Sequence, residues 1–249
     1  MAEAILEASE ITVRFGGLTA LDGVNLAVVD GGITGLIGPN GAGKTTMFNV
    51  LTGLQEPTEG TVRFGGQDIL NWPPQKRARA GMSRTFQRLQ LFVGMSVRDN
   101  LLGAWEAKIP GGVFGRRSAE GKELVDHVLR RLDLLSIADK RSGDLPTGLG
   151  RMVELGRALC TEPRLLLLDE PSSGLDHNET NRFRDVLLEL TSGGGDVSVL
   201  LVEHDMKLVM EVCDTITVLD FGRRIACGTP DEVQQDPTVI AAYLGETAA

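Results

Sequence analysis

GITGLIGPNGAGKTTMFNVLTGL, Gly32 to Leu54, is the stretch on which the fold turns. Gly32 to Ile37 is an apolar run of strand length, and the residues after Lys44 read as a helix. Between them GPNGAGKT, Gly38 to Thr45, matches the pattern G-x-x-x-x-G-K-[ST]. A tight loop of small residues (Gly38, Pro39, Asn40, Gly41, Ala42, Gly43) turns backbone N–H groups inward. The helix behind adds its positive end, which makes a cradle for phosphates. Lys44 reaches the outer phosphates as a point charge. Thr45 offers a hydroxyl to Mg2+, and the Thr46 amide extends the cradle.

Further along, LLLLDEP (Leu165 to Pro171) reads as a buried strand delivering Asp169 at its C-terminal end. That is the end where an open α/β sheet places ligands. A carboxylate there holds Mg2+ through water, and the adjacent Glu170 is a candidate general base for an attacking water. Another apolar strand, Val197 to Val202, runs into Glu203-His204-Asp205. It sets His204 on the same sheet edge, within reach of a terminal phosphate. His127 and His177 lack such a setting and read as surface residues.

The remaining chain alternates strand-length and helix-length segments, the α/β pattern. Asn178 to Thr191 and Met206 to Cys213 read as helices, Thr215 to Leu219 and Arg224 to Cys227 as strands, and two short helices finish the chain. The first 30 residues differ: ASEITVRFGG and DGVNLAVVDGG read as short antiparallel strands, and Gly60 to Ile69 as a further strand pair turning at Gly65-Gly66. Leu89 to Leu145 reads as mostly helical, with Ser96 and Ser118 as N-caps and a loop at Ile109 to Gly115.

Composition narrows the class. Lys plus Arg number 25 against 34 Asp plus Glu, a net charge of −9, which disfavours a nucleic-acid backbone as partner. No apolar run approaches the ~18–20 residues needed to span a bilayer, and the acidic MAEAILEASE has no basic leader region, so it does not read as a secretory signal. Cys160, Cys213 and Cys227 are not at metal-ligand spacing and read as three buried thiols. Within the acidic chain, Ile69 to Val97 contains no Asp or Glu but carries Lys76, Arg77, Arg79, Arg84 and Arg88. This basic island reads as a solvated face or as a surface facing phosphates or an anionic membrane rim.

These motifs together make the chain resemble the nucleotide-binding subunits of ABC transporters over essentially its whole length. Gln87 in SRTFQR matches the glutamine loop, Ser172 to Asp176 (SSGLD) the D-loop, and His204 the switch histidine. Phe15 in VRFGG matches the position that stacks on adenine, although a lone Phe at a strand end is equally at home in a core. FGGLTALDGVNL (Phe15 to Leu26), MSRTFQ (Met82 to Gln87) and DPTVIAAYLGE (Asp236 to Glu246) resemble the branched-chain amino-acid uptake subgroup. The lipopolysaccharide-export and urea-import ATPases are similar there too.

The resemblance implies a P-loop NTPase core with a mixed, RecA-like sheet, an N-terminal antiparallel β subdomain and an inserted helical subdomain. Residues 1–87 and 151–249 would form the core and 88–150 the helical part. It implies an ATPase that uses ATP and Mg2+: Lys44 and the loop amides hold phosphates, Thr45, Gln87 and Asp169 organise Mg2+, Glu170 polarises water, and His204 stabilises charge. Its partners would be two permease subunits, a second nucleotide-binding subunit (identical or distinct) and, indirectly, a periplasmic substrate-binding protein. Its place would be the cytoplasmic face of the bacterial cell membrane. Leu89, Leu91 and Phe92, within Gln87 to Val97, are the expected apolar anchors for the permease. Export, amide uptake or a non-transport ATP switch are the alternative roles.

One motif departs from the family. Where LSGGQ is expected, the chain reads LPTGLG, Leu145 to Gly150. Leu145 and Gly148 match; Pro146 and Thr147 do not, and Leu149 replaces the Gln. In the family this loop and Asp176 of the D-loop face the ATP held by the partner subunit. Pro146 supplies neither hydroxyl nor N–H. The Gly148 amide, the Thr147 hydroxyl and a helix beginning near Arg151 are left to compensate. Either the variant is tolerated with near-normal activity, or this chain contributes one weak composite site in a heterodimer.

Overall fold

The computed structural model describes residues 3–108, 119–192 and 197–246. The expected loop at Ile109 to Gly115 and the Ser118 cap lie outside the described residues. In chain order the elements are β1 (Ala4–Phe15), β2 (Leu18–Val29), β3 (Ile33–Ile37), α1 (Lys44–Thr52), β4 (Glu59–Phe64), β5 (Gln67–Asp68), α2 (Pro74–Arg79) and β6 (Met82–Arg84). Then follow α3 (Val97–Lys108), α4 (Ala119–Arg131), α5 (Thr147–Leu159), β7 (Leu165–Asp169), α6 (His177–Thr191) and β8 (Ser198–Val202). The described chain closes with α7 (Met206–Val212), β9 (Thr215–Asp220), β10 (Arg223–Gly228), α8 (Pro230–Gln235) and α9 (Pro237–Glu246).

Six strands form the central sheet in the order β10-β9-β3-β8-β7-β6. It is parallel except for the β9–β10 hairpin. All five residues of β3, β7 and β8 are buried, as expected of parallel strands covered on both faces. Their alternate residues feed two cores. Leu166, Leu168, Val199 and Leu201 face the core that contains α3 to α7, while Leu165, Leu167, Leu200 and Val202 face the core that contains α1. The second, antiparallel sheet, β2-β1-β4-β5, closes over that latter core and buries Met47, Phe48, Val50 and Leu51 of α1 between the two sheets. The helix that follows the phosphate loop is thereby held on both sides.

Several sequence expectations need correction. The opening strands are twelve residues each, not short; register shifts along their pairing and a positive φ of 52° at Glu10 bend them without breaking the pairing. Among the described residues of Leu89 to Leu145 the α-helices are α3 and α4, and residues 135–137 and 142–144 form only 3-10 turns. Ser96 does cap α3, its Oγ accepting from the Asp99 N–H at 3.0 Å. Cys160 and Cys213 are buried but Cys227 is exposed, because β10 is an edge strand.

The basic island is not a uniform solvated face. Arg77 is 3% exposed and donates to the carbonyls of Val50, Leu51, Leu70 and Trp72, closing off the C-terminal end of α1. Burial holds its guanidinium below its ordinary pKa. Arg84 is likewise largely buried. A long cationic side chain inside the fold is stable here because backbone carbonyls and a carboxylate supply its partners.

Candidate active site

Strand register builds the site. Leu36 of β3 pairs with Val202 of β8, and Val202 pairs with Asp169 of β7, so the three C-terminal strand ends lie in one row. The chain leaves that row as Gly38 to Gly43, as Glu170 and as His204. Gly38 is locked against β9, since a Cβ there would lie 2.0 Å from the Leu219 carbonyl oxygen. Gly43 precedes α1 with φ of 103°, and a Cβ on it would meet the Ala20 carbonyl at 2.8 Å. The N-cap of α1 is Gly43, which has no side chain to cap the helix, so the loop and the helix's positive end suit an anion. Asn40, Gly41 and Thr45 are exposed, Thr46 is half-buried, and Pro39 and Ala42 are buried. Lys44 is 7% exposed and curls back over the loop, donating to Gly38 O at 2.6 Å and Pro39 O at 2.9 Å.

Two of the expected site side chains, Gln87 and His204, converge on Glu170. The Nε2 of His204 lies 2.5 Å from its Oε1, and the Nε2 of Gln87 donates to its Oε2 at 2.7 Å. Glu170 adopts a left-handed backbone, φ 49°, a conformation that costs a non-glycine residue about 1–3 kcal/mol and clusters at functional sites. The bend turns its side chain off the strand axis, and its N–H donates to Val202 O at 2.8 Å. Asp169, 5% exposed, stays at the strand end.

Arg84, which the sequence reading left in the basic island, anchors Asp169. One terminal nitrogen reaches Asp169 Oδ2 at 3.0 Å, while the other donates to Asn49 Oδ1 of α1 at 2.7 Å. The guanidinium also lies over the rings of Phe48 and Phe86, 5.5 and 4.9 Å from their centroids. One side chain thus ties the glutamine-loop strand, the phosphate-loop helix and the strand-end carboxylate together. A cation inside SRTFQR, three residues before Gln87 in a segment without acids, was the available signal.

A second group, also missed by sequence reasoning, lines one face of α5 at positions 151, 154 and 157. Arg151 donates to the carbonyls of Phe86 at 3.1 Å and Gln87 at 2.5 Å and pairs with Glu154 at 3.0 Å. Glu154 accepts from the Gln90 N–H at 3.2 Å. Arg157 donates to Gln90 O and lies 4.8 Å from the centroid of the Phe92 ring. Burial pushes the Glu154 carboxyl above its ordinary pKa despite Arg151 and draws the Arg157 guanidinium down. The clamp presents Phe92, Leu89, Val93 and Met95 outward, 53%, 37%, 66% and 40% exposed. Leu91, expected as an exposed anchor, instead turns partly inward onto the core.

The variant signature loop opens α5. The helix begins at Thr147, not near Arg151, with Pro146 as its N-cap. A proline there costs the helix no hydrogen bond, since the cap contributes its carbonyl, which accepts from Gly150 N at 3.0 Å. Thr147 and Leu149 follow in the first turn, whose amides are the free donors, and Leu145 is half-buried. Gly148 packs so closely on α6 that an added Cβ would overlap the Glu179 carboxylate. Asp176 caps α6, accepting from Glu179 N at 2.8 Å, while Glu179 accepts from Asp176 N at 3.0 Å. Phe15 is 48% exposed at the end of β1, not core. His127 and His177 are exposed, as expected.

Comparison with known proteins matches residues 21–173 to the ABC transporter family and residues 223–249 to the family described as branched-chain amino acid ATP-binding cassette transporter. The chain belongs to the ABC transporter ATP-binding family. Over 99% of its length it is 43% identical to the high-affinity branched-chain amino acid transport ATP-binding protein BraF of Pseudomonas aeruginosa, covering all of that protein. It is 40% identical, with the same coverage, to LivG of Escherichia coli, which carries the same description. Among solved structures, the ADP conformation of an ATP-binding cassette of an ABC transporter superposes with a TM-score of 0.87 at 34% identity, covering 98% of this chain and 100% of that one. The ABC fold expected from the motifs, an ATPase core with an antiparallel β sheet and added helices, is the fold observed. The cluster around Glu170 joins Gln87 and His204, while Gly148 of the LPTGLG loop is seated against Glu179 of α6.

Proposed function

We propose that this chain is the ATP-hydrolysing subunit of a branched-chain amino-acid uptake transporter, working at the cytoplasmic face of a bacterial membrane. The observation that carries the catalytic part is the Glu170 carboxylate, bracketed by His204 and Gln87 at the sheet edge where the phosphate loop begins. The substrate class rests on the full-length likeness to BraF and LivG. No helix among the described residues is long and apolar enough to cross a membrane; in this reading separate permease subunits pass the substrate. A second nucleotide-binding subunit and a substrate-binding protein complete the assembly. In this reading 1–87 and 151–249 form the core and 88–150 the helical subdomain.

ATP phosphates lie along the Gly38 to Thr46 amides, with Lys44 leaving its loop carbonyls for the outer phosphates. The donors near the strand end suit Mg2+, which takes oxygen ligands: the exposed Thr45 hydroxyl of α1 and the Asp169 carboxylate, which Arg84 ties to Asn49 of the same helix. When bound, the metal neutralises charge on the phosphate oxygens. Glu170 accepts a proton from the attacking water once nucleotide draws Gln87 or His204 away from it. His204 then donates to the γ-phosphate. Phe15, exposed, stacks on adenine. Leu145, Pro146, Thr147 and Gly148, with Asp176, face the partner's ATP, the Thr147 and Gly148 amides of the first turn of α5 acting as donors.

Deletion of the gene in its host, followed by leucine, isoleucine and valine uptake measurements, tests the substrate class. Loss of uptake restored by the wild-type chain and not by Lys44→Ala supports it; intact uptake of all three overturns it.

A further inference from the structure

We propose that Glu203 is a positioning residue that holds the start of the D-loop and the switch histidine as one unit. Glu203 is the first residue beyond β8 and is only 3% exposed. Its carboxylate turns back into the protein instead of joining the phosphate site. Oε1 accepts from the backbone N–H of Ser172 at 2.7 Å, and Oε2 accepts from the backbone N–H of His204 at 3.0 Å. A buried carboxylate is tolerated only with such partners, and bonds from N–H to an ionised acceptor are among the stronger ones.

The two amides belong to the two segments whose side chains meet at 2.5 Å, Glu170 and His204. The Glu170 N–H donates to Val202 O at 2.8 Å on the other side of the same small backbone ring. Besides the Glu170–His204 side-chain contact, residues 170–172 and 202–204 are therefore tied at the backbone twice, once by a ladder bond and once by the Glu203 carboxylate. The ladder bond is available to any sequence; the carboxylate link needs this side chain.

The link leads to the surface that meets the partner's nucleotide. Ser172 opens the turn that ends with Asp176 capping α6, and a Cβ on Gly174 in that turn would lie 3.3 Å from the Thr147 methyl of the signature loop. Displacement of that face reaches the His204 backbone through one carboxylate. Glu203 touches neither nucleotide nor water in this account and acts through the histidine. The inference rests on the assignment of Glu170 and His204 to catalysis.

In the full chain, Glu203→Gln keeps the volume but leaves one acceptor oxygen for two N–H donors. We expect kcat for ATP hydrolysis to fall by about tenfold or more, with KM for ATP within about twofold. Glu203→Asp, whose carboxylate is too short to span both amides, moves the same way and carries the test if the glutamine variant does not fold. The Ser172 and His204 amide resonances shift in Glu203→Gln with the rest of β8 unmoved, a readout independent of turnover. In a double-mutant cycle, Glu203→Gln on a His204→Ala background removes less than about twofold further. A parental kcat, unmoved amides or fully additive losses overturn the coupling. Parental activity in His204→Ala alone overturns the catalytic assignment beneath it and the coupling with it.

Discussion

The Nε2 of His204 stands 2.5 Å from the Oε1 of Glu170, across two strand ends that are neighbours in the sheet. An ionised carboxylate only accepts, so a hydrogen bond to it requires the proton on this ring nitrogen, the tautomer that can also donate to a phosphate oxygen. In this contact the two side chains satisfy each other. Glu170→Gln is expected to lower kcat by about 10²–10³-fold while ATP binding is retained, as for other positioned general bases. Steady-state hydrolysis and nucleotide-binding titrations on the same preparation check this, and near-normal turnover rejects the general-base role.

The α5 clamp predicts a stability effect. Glu154→Ala leaves Arg151 buried without its carboxylate, a loss of about 3–5 kcal/mol that should lower Tm by roughly 10 °C. Because burial raises the Glu154 pKa, the folded chain binds this proton more tightly than the unfolded chain. Its contribution to stability is greatest at and below the ordinary carboxylate pKa of 4.5 and falls as pH rises towards the raised folded value. Denaturant titrations across that window should show a flatter pH slope in Glu154→Gln.

Phe92→Asp probes the outward face of the same clamp. The ring is 53% exposed, and its backbone is fixed by Asn100, which accepts from Phe92 N at 2.9 Å. ATP hydrolysis by the variant chain should remain within about twofold of wild type, since a surface substitution away from the site costs little. Uptake by the assembled transporter should fall about tenfold or more if permease docking uses this ring. Retained uptake would move the docking surface elsewhere.

Pro146→Ser tests the signature variant. Pro146 caps α5 without a side-chain bond, and serine adds a hydroxyl able to accept from the first turn, worth about 0.5–2 kcal/mol to the helix. If the proline weakens one composite ATP site, the assembled transporter should also hydrolyse faster. A stability gain with an unchanged rate identifies the variant as tolerated.

Thiol chemistry offers a simple check of burial. Burial pushes the thiols of Cys160 and Cys213 up to about 12, whereas Cys227 lies exposed on the edge strand. At pH 8 a thiol reagent should modify one cysteine in the native chain and all three in denaturant. More than one fast-reacting thiol would contradict the packing of α5 or α7.

The sequence by itself determined the phosphate loop between strand and helix, the three mostly apolar strands, and the acids and histidine at the ends of two of them. Those signals are local: a loop needs its glycines and lysine in succession, and a strand buried on both faces needs an unbroken apolar run. Because Leu36, Val202 and Asp169 pair in register, reading the strands was enough to bring Lys44, Glu170 and His204 to one edge. Only the tertiary structure decided the partners of the buried charges. Arg84 reads as one more cation until β6 lies beside β7 and its guanidinium meets Asp169, 85 residues away. Glu203 reads as a second acid beside the histidine until Ser172 arrives from another strand end. Arg151, Glu154 and Arg157 look like an ordinary charged helix face until the glutamine loop crosses it. In each case the deciding interaction is a hydrogen bond between segments distant in sequence. Its energy depends on desolvation and direction, which no local pattern encodes.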